Sequence, residues 1–188
     1  HDALPISMKQ AVDAGYGRAG EPWAAGQLVS YLRTPALYYL TALLTEDDLL
    51  AALCGTTNRD EGAYIGFFGK ASDGMVDLQP ISDLHKNEVR QLAILLGVPQ
   101  SILEATPCGD TYDGRHDELM IGAPYDFLEL YQHWLCAGKP ELQLSAGARA
   151  QWDTWSAALE ELHGKNLHKY LASSVAIHLD ILERAVPG

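Results

Sequence analysis

Residues 54–86 read CGTTNRDEGAYIGFFGKASDGMVDLQPISDLHK, and this stretch decides the fold. The apolar run LLAALC, residues 49–54, leads into it and ends at Gly55. A short apolar run closed by glycine is typical of a buried strand in a parallel sheet. We therefore expect an α/β fold with this strand in its core and with Cys54 buried against the sheet.

Oxygen-bearing side chains follow the predicted strand at Thr56, Thr57, Asn58, Asp60 and Glu61. Ligands of open α/β sheets bind where strands end and helices begin, so Glu61 lies where a hard cation or a nucleotide would be held. The threonine hydroxyls could contact a sugar or phosphate, or simply cap the next helix. From spacing alone, a capped helix without chemistry is the favoured interpretation.

Two further carboxylates and a lysine follow in the same stretch. Asp73 and Asp77 flank a glycine turn, and Lys86 stands at the predicted start of another helix. Three acids followed by a lysine at a helix start would suit magnesium together with a polyphosphate.

The run GTTNRDEGAYIGFFGKASDGMVDLQPISDLHKNEVRQLA, residues 55–93, resembles the core of NAD synthetase. That family uses ATP to amidate the nicotinate carboxylate of deamido-NAD. Its pattern is G-T-x-x-x-x-E, then G-F-F-x-K-x-x-D-G-x-x-D-L-x-P-I-x-x-L-x-K. The positions that fill it here are Gly55, Thr56, Glu61, Gly66, Phe67, Phe68, Lys70, Asp73, Gly74, Asp77, Leu78, Pro80, Ile81, Leu84 and Lys86. So long a match is a strong signal.

The resemblance implies a Rossmann-like parallel sheet flanked by helices, with a helix-rich C-terminal half, and ATP and Mg²⁺ as cofactors. The implied metal ligand is Glu61. The implied ATP-binding residues are Thr56, Lys86, Cys108, His168 and Lys169. The implied residues for the dinucleotide substrate are Arg33, Tyr38, Asp73, Asp77, Asp110 and Glu118. Catalysis would fall to Lys86, which neutralises phosphate charge, and to Asp73 and Asp77, which hold the nicotinate half and orient ammonia.

The chain departs from the family pattern in two segments. In N-x-x-x-R-x-R-M-x-x-x-Y, Arg33 and Tyr38 match, whereas the departures are Gln27, Tyr31 and Thr34. In the loop of residues 106–118, Asp110, Asp117 and Glu118 match, whereas Cys108 replaces a hydroxyl residue and Met120 replaces a second glutamate. Helix capping is the simpler explanation of Asp117 and Glu118, and a surface pair is the simpler explanation of His168 and Lys169.

Two parts of the chain are distinguished by the resemblance. We expect residues 1–7, HDALPIS, to be an extraneous leader outside any element, and residues 8–188 to be the C-terminal part of a single NAD synthetase domain. The family's S-G-G-x-D-S loop, which grips ATP pyrophosphate through backbone N–H groups, has no counterpart in the sequence. This fragment alone is therefore expected to be inactive; a genuine short homologue is the alternative.

Apolar spacing and breaker residues predict the remaining elements. Residues 9–26 are glycine-rich and predict a loop, with a possible helix start at Glu21 and Pro22. Helices are predicted over residues 27–44, 87–96, 101–105, 124–135, 145–164 and 172–185. The apolar face of the helix at 87–96 is expected to pack on the sheet.

Composition limits the partners. The net charge of −12 argues against nucleic acid or an anionic membrane surface. Three scattered cysteines without a C-x-x-C pair fit reduced thiols, and no apolar run is long enough to span a bilayer. Composition therefore predicts neither nucleic acid nor membrane as partner, and the resemblance implies a cytoplasmic homodimer that takes deamido-NAD and ammonia as substrates.

Three functions stay open at this point. The first is part of an NAD synthetase. The second is another ATP-pyrophosphatase-type enzyme that forms amides, against which the GFFGK-to-DLHK run argues. The third is a non-catalytic fragment that binds a dinucleotide or mediates dimerisation, which the missing ATP loop favours.

Overall fold

The computed structural model describes residues 3–108 and 114–170, and within these ranges the chain is helical. The elements are α1 (Ala3–Tyr16), α2 (Pro22–Glu46), α3 (Arg59–Gly62), α4 (Lys86–Leu95), α5 (Gln100–Leu103), α6 (Asp117–Ile121), α7 (Tyr125–Cys136), α8 (Ala146–Asn166) and a 3₁₀ turn (Leu167–Tyr170). Asp110 and the helix predicted over residues 172–185 lie outside the described residues. Among the helices described, none has the length and apolarity needed to span a lipid bilayer.

The prediction of a buried strand at residues 49–54 is wrong. Leu49 is 55% exposed and Leu50 is fully exposed. A single parallel bridge joins Cys54 to Leu78, supported by the Gly55 N–H donating to the Leu78 carbonyl at 2.8 Å. A strand needs neighbours along its edges, and among the described residues only the segment at residues 77–78 lies beside it. The described residues therefore form no sheet, and Cys54 is exposed rather than buried.

The N-terminal segment is more helical than its glycines predict. Residues 3–7, expected outside any element, begin α1, and the loop predicted at 9–26 shrinks to the turn at 17–21. Gly17 ends α1 at φ +82, the left-handed conformation that glycine adopts freely. Pro22 opens α2 as predicted, because a first helical position needs no N–H donor. The helix then continues through Pro35.

The core lies between α7, α8 and the loop at residues 64–67. Along α7, Phe127, Leu128 and Tyr131 are buried, at the spacing of one helix face. Phe127 packs edge-on against Trp152 of α8 at 5.2 Å between ring centroids. The members of the buried cluster are Ile65, Ile121, Ala123, Tyr125, Phe127, Leu128, Tyr131, Trp152 and Leu159. The helices predicted at 124–135 and 145–164 are thus confirmed as the elements that build the core.

Helix α4 was predicted correctly in position but not in packing. Its residues 86–95 include no buried side chain, and Leu92, Ile94 and Leu95 are 39%, 57% and 83% exposed. The apolar face was expected to cover a sheet, and no sheet lies beneath it in the described residues. The start of α4 is nevertheless well fixed, because the Glu88 carboxylate accepts the His85 N–H at 2.7 Å.

The core assignment predicts a contrast between two leucines of α7. Leu128→Ala removes a fully buried side chain and should lower the free energy of unfolding by about 2–5 kcal/mol. Leu130→Ala, at a position 55% exposed on the same helix, should change it by less than about 0.5 kcal/mol. Urea unfolding followed by circular dichroism measures both. Equal effects of the two substitutions would show that α7 does not bury the face assigned here.

Candidate functional site

The turn at residues 56–61 is a capped helix start. The Asn58 side chain accepts the Glu61 N–H at 3.1 Å, and the Glu61 carboxylate accepts the Asn58 N–H at 3.4 Å. This reciprocal capping box satisfies two N–H groups that α3 would otherwise leave free. The turn thus caps a helix, but through Asn58 and not through the threonine hydroxyls, and Glu61 makes further contacts.

Glu61 forms an ion pair with Lys86, the residue that ends the family pattern. The Glu61 Oε1 accepts from Lys86 Nζ at 2.7 Å and lies 3.2 Å from the Tyr125 hydroxyl. That hydroxyl is also 3.1 Å from Asp117 Oδ2. We call these four residues the Glu61–Lys86 cluster. The side chains of the ion pair are only 14% and 29% exposed, so salt screens their attraction less than at a free surface.

Tyr125 was not predicted as a site residue, because the apolar spacing of residues 124–135 predicts only a helix. Burial, followed by the charges of Glu61 and Asp117, raises the pKa of Tyr125 well above its ordinary value. The phenol therefore stays protonated, and its single O–H is shared between the two carboxylates. The sequence signal that could have identified Tyr125 is its position directly after Pro124, as the first residue of α7. The N-terminal end of a core helix borders the solvent-facing loops, where site residues lie.

The fully buried carboxylate of Asp60 fixes the segments that carry Glu61 and Lys86. It accepts from His85 Nδ1 at 2.7 Å, the Lys86 backbone N–H at 2.6 Å and Gln132 Nε2 at 2.9 Å. Three donors compensate the cost of burying the charge. Asp60 thus connects α3, the start of α4 and α7. No local pattern points to His85 or Gln132, and the position of Asp60 next to Glu61 is the one sequence signal of this contact.

A cavity of about 160 Å³ lies on the other side of the same stretch, against α2. Its lining residues are Arg33, Thr34, Leu37, Leu53, Cys54, Gly55, Thr56, Ser72, Asp73 and Val76. The Arg33 guanidinium is 4.0 Å from the Asp73 carboxylate, which also accepts from the Gly69 N–H and the Ser72 hydroxyl at 3.3 Å. The predicted residues Arg33, Thr56 and Asp73 therefore line one space.

Asp77 and Tyr38 lie outside that lining and contact each other. The Tyr38 hydroxyl donates to Asp77 Oδ1 at 3.2 Å, and the Leu53 N–H donates to Asp77 Oδ2 at 2.8 Å. Burial, and then the charge of Asp77, raises the pKa of Tyr38. Both Asp77 oxygens are thus used to fasten α2 to the segment at residue 53.

Lys169 reaches the G-F-F segment from the end of the described chain. Its Nζ donates to the carbonyls of Gly66 and Phe68 at 2.9 and 2.8 Å. Burial lowers the pKa of Lys169, and the charge of Asp73 opposes that shift. Gly66 has φ +60, and a Cβ there would lie 2.7 Å from the Cβ of Asn166, so this close approach requires glycine. His168 is exposed and does not line the cavity.

The described parts of the loop at 106–118 hold the remaining predicted residues. Cys108 is exposed and pairs with His116 in an antiparallel bridge. Glu118 Oε1 accepts the Tyr125 N–H at 2.9 Å, so its carboxylate caps the start of α7. Asp117 and Glu118 both fall in the first turn of α6, where acidic side chains favour a helix.

Two groups of predicted site residues stand out, whereas Asp77, Lys169 and Cys108 make separate contacts. The Glu61–Lys86 cluster lies towards α7, and the cavity with Arg33, Thr56 and Asp73 lies towards α2. The cavity lining includes Arg33, Thr56 and Asp73 but neither Glu61 nor Lys86. The two groups are joined through the backbone of residues 55–86.

Both groups are built on the family pattern, and comparison with known proteins gives the class. The sequence model of the NAD synthase family matches residues 4–171. The chain belongs to the NAD synthase family, as the resemblance of residues 55–93 implied.

Two relatives illustrate the sequence similarity. An NH(3)-dependent NAD(+) synthetase of Methanococcoides burtonii is 32% identical over 157 residues, which covers 84% of this chain and 57% of that protein. An NH(3)-dependent NAD(+) synthetase of Carboxydothermus hydrogenoformans is 34% identical over 144 residues, which covers 77% of this chain and 54% of that protein. The chain thus spans little more than half the length of these relatives.

Solved structures agree on the fold. An NMN synthetase from Francisella tularensis superposes with a TM-score of 0.69 at 25% identity, over 90% of this chain and 63% of that one. An NH3-dependent NAD synthetase from Campylobacter jejuni superposes with a TM-score of 0.58 at 19% identity, over 92% and 62%. The described chain therefore shares its fold with the matching parts of these two structures.

The buried contacts of Asp60 predict a large loss of stability when its carboxylate is removed. Asp60→Ala leaves three buried donors without their acceptor and should lower the free energy of unfolding by about 3 kcal/mol. Asp153→Ala, at an exposed position of α8, is the matched control and should change it by less than about 1 kcal/mol. Chemical unfolding of both variants is the measurement. An Asp60 variant as stable as the control would contradict the role assigned to this carboxylate.

Proposed function

We propose that this chain carries the charge-neutralising and substrate-holding part of an enzyme that amidates deamido-NAD to NAD with ATP. The observation that carries the proposal is the Glu61–Lys86 ion pair, in which two residues of the family pattern, 25 positions apart, meet at 2.7 Å. Membership of the NAD synthase family supports the same reaction. The relatives are named as NH(3)-dependent, which favours ammonia as the nitrogen donor.

The chemistry explains why such a cluster is needed. The nicotinate carboxylate attacks the α-phosphorus of ATP, so that pyrophosphate leaves and an acyl adenylate forms. Ammonia then attacks the acyl carbon, AMP leaves, and a proton is lost from nitrogen. The first step brings two anions together, and its barrier falls when fixed positive charge lies beside them. In the proposal, Lys86 supplies that charge to the phosphates.

The donor set of the Glu61–Lys86 cluster is suited to Mg²⁺. Carboxylates of Glu61 and Asp117 and the Tyr125 hydroxyl offer only oxygen, which this hard cation prefers. When bound, the ion would supply further neutralisation of phosphate charge. Because Lys86 holds Glu61 Oε1 in the structure, a metal at Glu61 would compete with the ion pair and release Lys86 towards an anionic ligand.

The cavity beside α2 is proposed to take one part of the dinucleotide. Its volume of about 160 Å³ is below the range of roughly 300–1,000 Å³ found for drug-sized ligands, so it would hold a single ring or phosphate. Arg33, with its side chain 56% exposed, offers a positive charge at this space, and Asp73 offers a hydrogen-bond acceptor. Catalytic roles for Asp73 and Asp77, and ATP contacts from Thr56, Cys108, His168 and Lys169, remain part of the proposal.

A mononucleotide product is the second candidate. The NMN synthetase of Francisella tularensis gives the TM-score of 0.69, above that of the NAD synthetase compared with it. Assays should therefore supply the nicotinate mononucleotide as well as deamido-NAD. A non-catalytic role in dinucleotide binding is the outcome if neither is amidated.

We further propose a homodimer located in the cytoplasm. Helix α2 leaves large apolar side chains in solvent, among them Tyr39, Leu40 and Leu44 at 65%, 52% and 41% exposure. Apolar surface of this kind is stabilised when a second subunit covers it.

The ion pair predicts a steep loss of turnover when either charge is removed. The chain fused behind the ATP-loop half of a synthetase should form NAD from deamido-NAD, ATP and ammonia. Glu61→Gln or Lys86→Met in this fusion should lower kcat by about 10² or more, because a preorganised charge contact is lost. NAD formation is followed by an enzymatic cycling assay.

The matched control is the exposed pair of Glu161 and Lys165 on α8, whose side chains are each 67% exposed. Glu161→Gln and Lys165→Met should leave kcat within about twofold, because surface pairs contribute little. Turnover that is unchanged in the Glu61 and Lys86 variants would refute the proposed roles. A wild-type fusion that folds and binds nucleotide but forms neither NAD nor NMN would favour the non-catalytic alternative.

The cavity predicts an effect on substrate binding at Arg33. Arg33→Ala should raise the KM for deamido-NAD by about tenfold with a smaller change in kcat, because the lost contact acts on binding. Arg90→Ala removes an exposed arginine of α4 and serves as the control. Steady-state kinetics of the same fusion separate the two parameters. A KM unchanged in the Arg33 variant would remove this cavity from the substrate site.

A further inference from the structure

His85 has one ring nitrogen satisfied and one free. Its side chain is 3% exposed, and its Nδ1 contacts Asp60 at 2.7 Å. Among the described residues, no group hydrogen-bonds to its Nε2, although that atom is buried. Buried imidazole nitrogens are nearly always paired, so one without a partner points to a ligand.

The groups near this nitrogen are metal ligands. Ligand atoms of His85, Glu129 and His133 all lie within 4.8 Å of one another. Glu129 and His133 are four residues apart on α7, which places them on one helix face. The imidazoles of His85 and His133 have ring centroids 5.0 Å apart, and Glu129 Oε1 is 4.0 Å from His133 Nε2. We propose that His85, Glu129 and His133 form a binding site for a divalent transition-metal ion, with Zn²⁺ as its best-suited occupant.

The donor set decides the class of ion. Two imidazoles and one carboxylate suit zinc and its neighbours in the first transition row, whereas Mg²⁺ takes oxygen ligands. Bonds of about 2.1 Å in tetrahedral geometry place ligand atoms ~3.4 Å apart, so the site must contract slightly on binding. The exposed His133, at 61%, and the half-buried Glu129, at 26%, can rotate to allow this.

The surroundings of His85 are those of a metal-bound histidine. The Asp60 carboxylate accepts the Nδ1 proton, which fixes the tautomer that presents the Nε2 lone pair to the ion. Asp60 is itself held by Gln132 and the Lys86 backbone. Glu129 is oriented by Asn87, whose side-chain amide donates to Glu129 Oε2 at 3.0 Å. Three ligands with one side open to solvent leave the fourth position for water.

The site would connect the start of α4 to α7. His85 is the residue before α4, and both other ligands belong to α7. A bound ion therefore adds a crosslink between segments that are already joined through Asp60, and it should raise the unfolding temperature by mass action. This inference does not depend on the proposed function, because the ligands are separate from the Glu61–Lys86 cluster.

Zinc titration of the 188-residue chain tests the site. A background with Cys54, Cys108 and Cys136 changed to serine removes exposed thiols that could also bind the ion. Competition with a chromophoric chelator should give one saturable Zn²⁺ site, and thermal unfolding should shift upwards with Zn²⁺ and not with equal Mg²⁺. His133→Ala and Glu129→Gln should each weaken Zn²⁺ binding by about 100-fold or more, because loss of a direct ligand exceeds the 10–100-fold cost of losing an outer contact.

His168→Ala removes an exposed histidine outside the site and should leave Zn²⁺ affinity within about twofold. Ring proton signals of His85 and His133 should shift together in NMR spectra when Zn²⁺ is added. No saturable Zn²⁺ binding would overturn the proposal. So would binding that is unaffected by His133→Ala and Glu129→Gln, or that is weakened equally by His168→Ala.

Discussion

The buried carboxylate of Asp60 is the contact on which the rest of the described site depends. A charge with no exposed surface is stable only when donors surround it, and Asp60 receives them from the residues before and at the start of α4 and from α7. Glu61 follows Asp60 in the chain, and Lys86 follows His85. Because Asp60 and His85 are fixed against each other, their neighbours Glu61 and Lys86 are placed within ion-pair distance at the surface of the same contact.

Three positive charges near the candidate site are held by local acceptors. Lys86 is paired with Glu61, Arg33 lies near Asp73, and Lys169 binds two backbone carbonyls of the G-F-F segment. A chain of net charge −12 repels anions at long range, so a nucleotide would have to be recognised at short range by such prepositioned cations. In the proposed function, the anionic ligand replaces Glu61 and Asp73 as the partners of Lys86 and Arg33, so its binding is an exchange of ion pairs.

The sequence predicted the elements whose pattern is local. Helices α7 and α8 follow from apolar spacing that matches one buried face, and α4 follows from its breaker residues. The prediction of a strand at 49–54 was wrong because an apolar run forms a strand only when it pairs with other strands. The sequence of one segment does not show which segments will lie beside it. Asp60, His85 and Tyr125 were missed for the same reason. Their contacts join residues as far as 72 positions apart in the sequence. The spacing of a motif relates only residues within one short stretch, so it does not predict such contacts.

Two cation sites of different chemistry would then share one scaffold. The two carboxylates and the phenol of the Glu61–Lys86 cluster offer only oxygen ligands, and the proposed site at His85 offers two imidazoles and one carboxylate, so each prefers a different class of ion. They meet through Asp60, which orients His85 on one side and fixes the Lys86 backbone on the other. An ion at His85 would therefore act on the proposed reaction only by making the contact between Asp60 and the Lys86 backbone more rigid. It would change how precisely the Lys86 ammonium is positioned, and it would not remove the positive charge of Lys86.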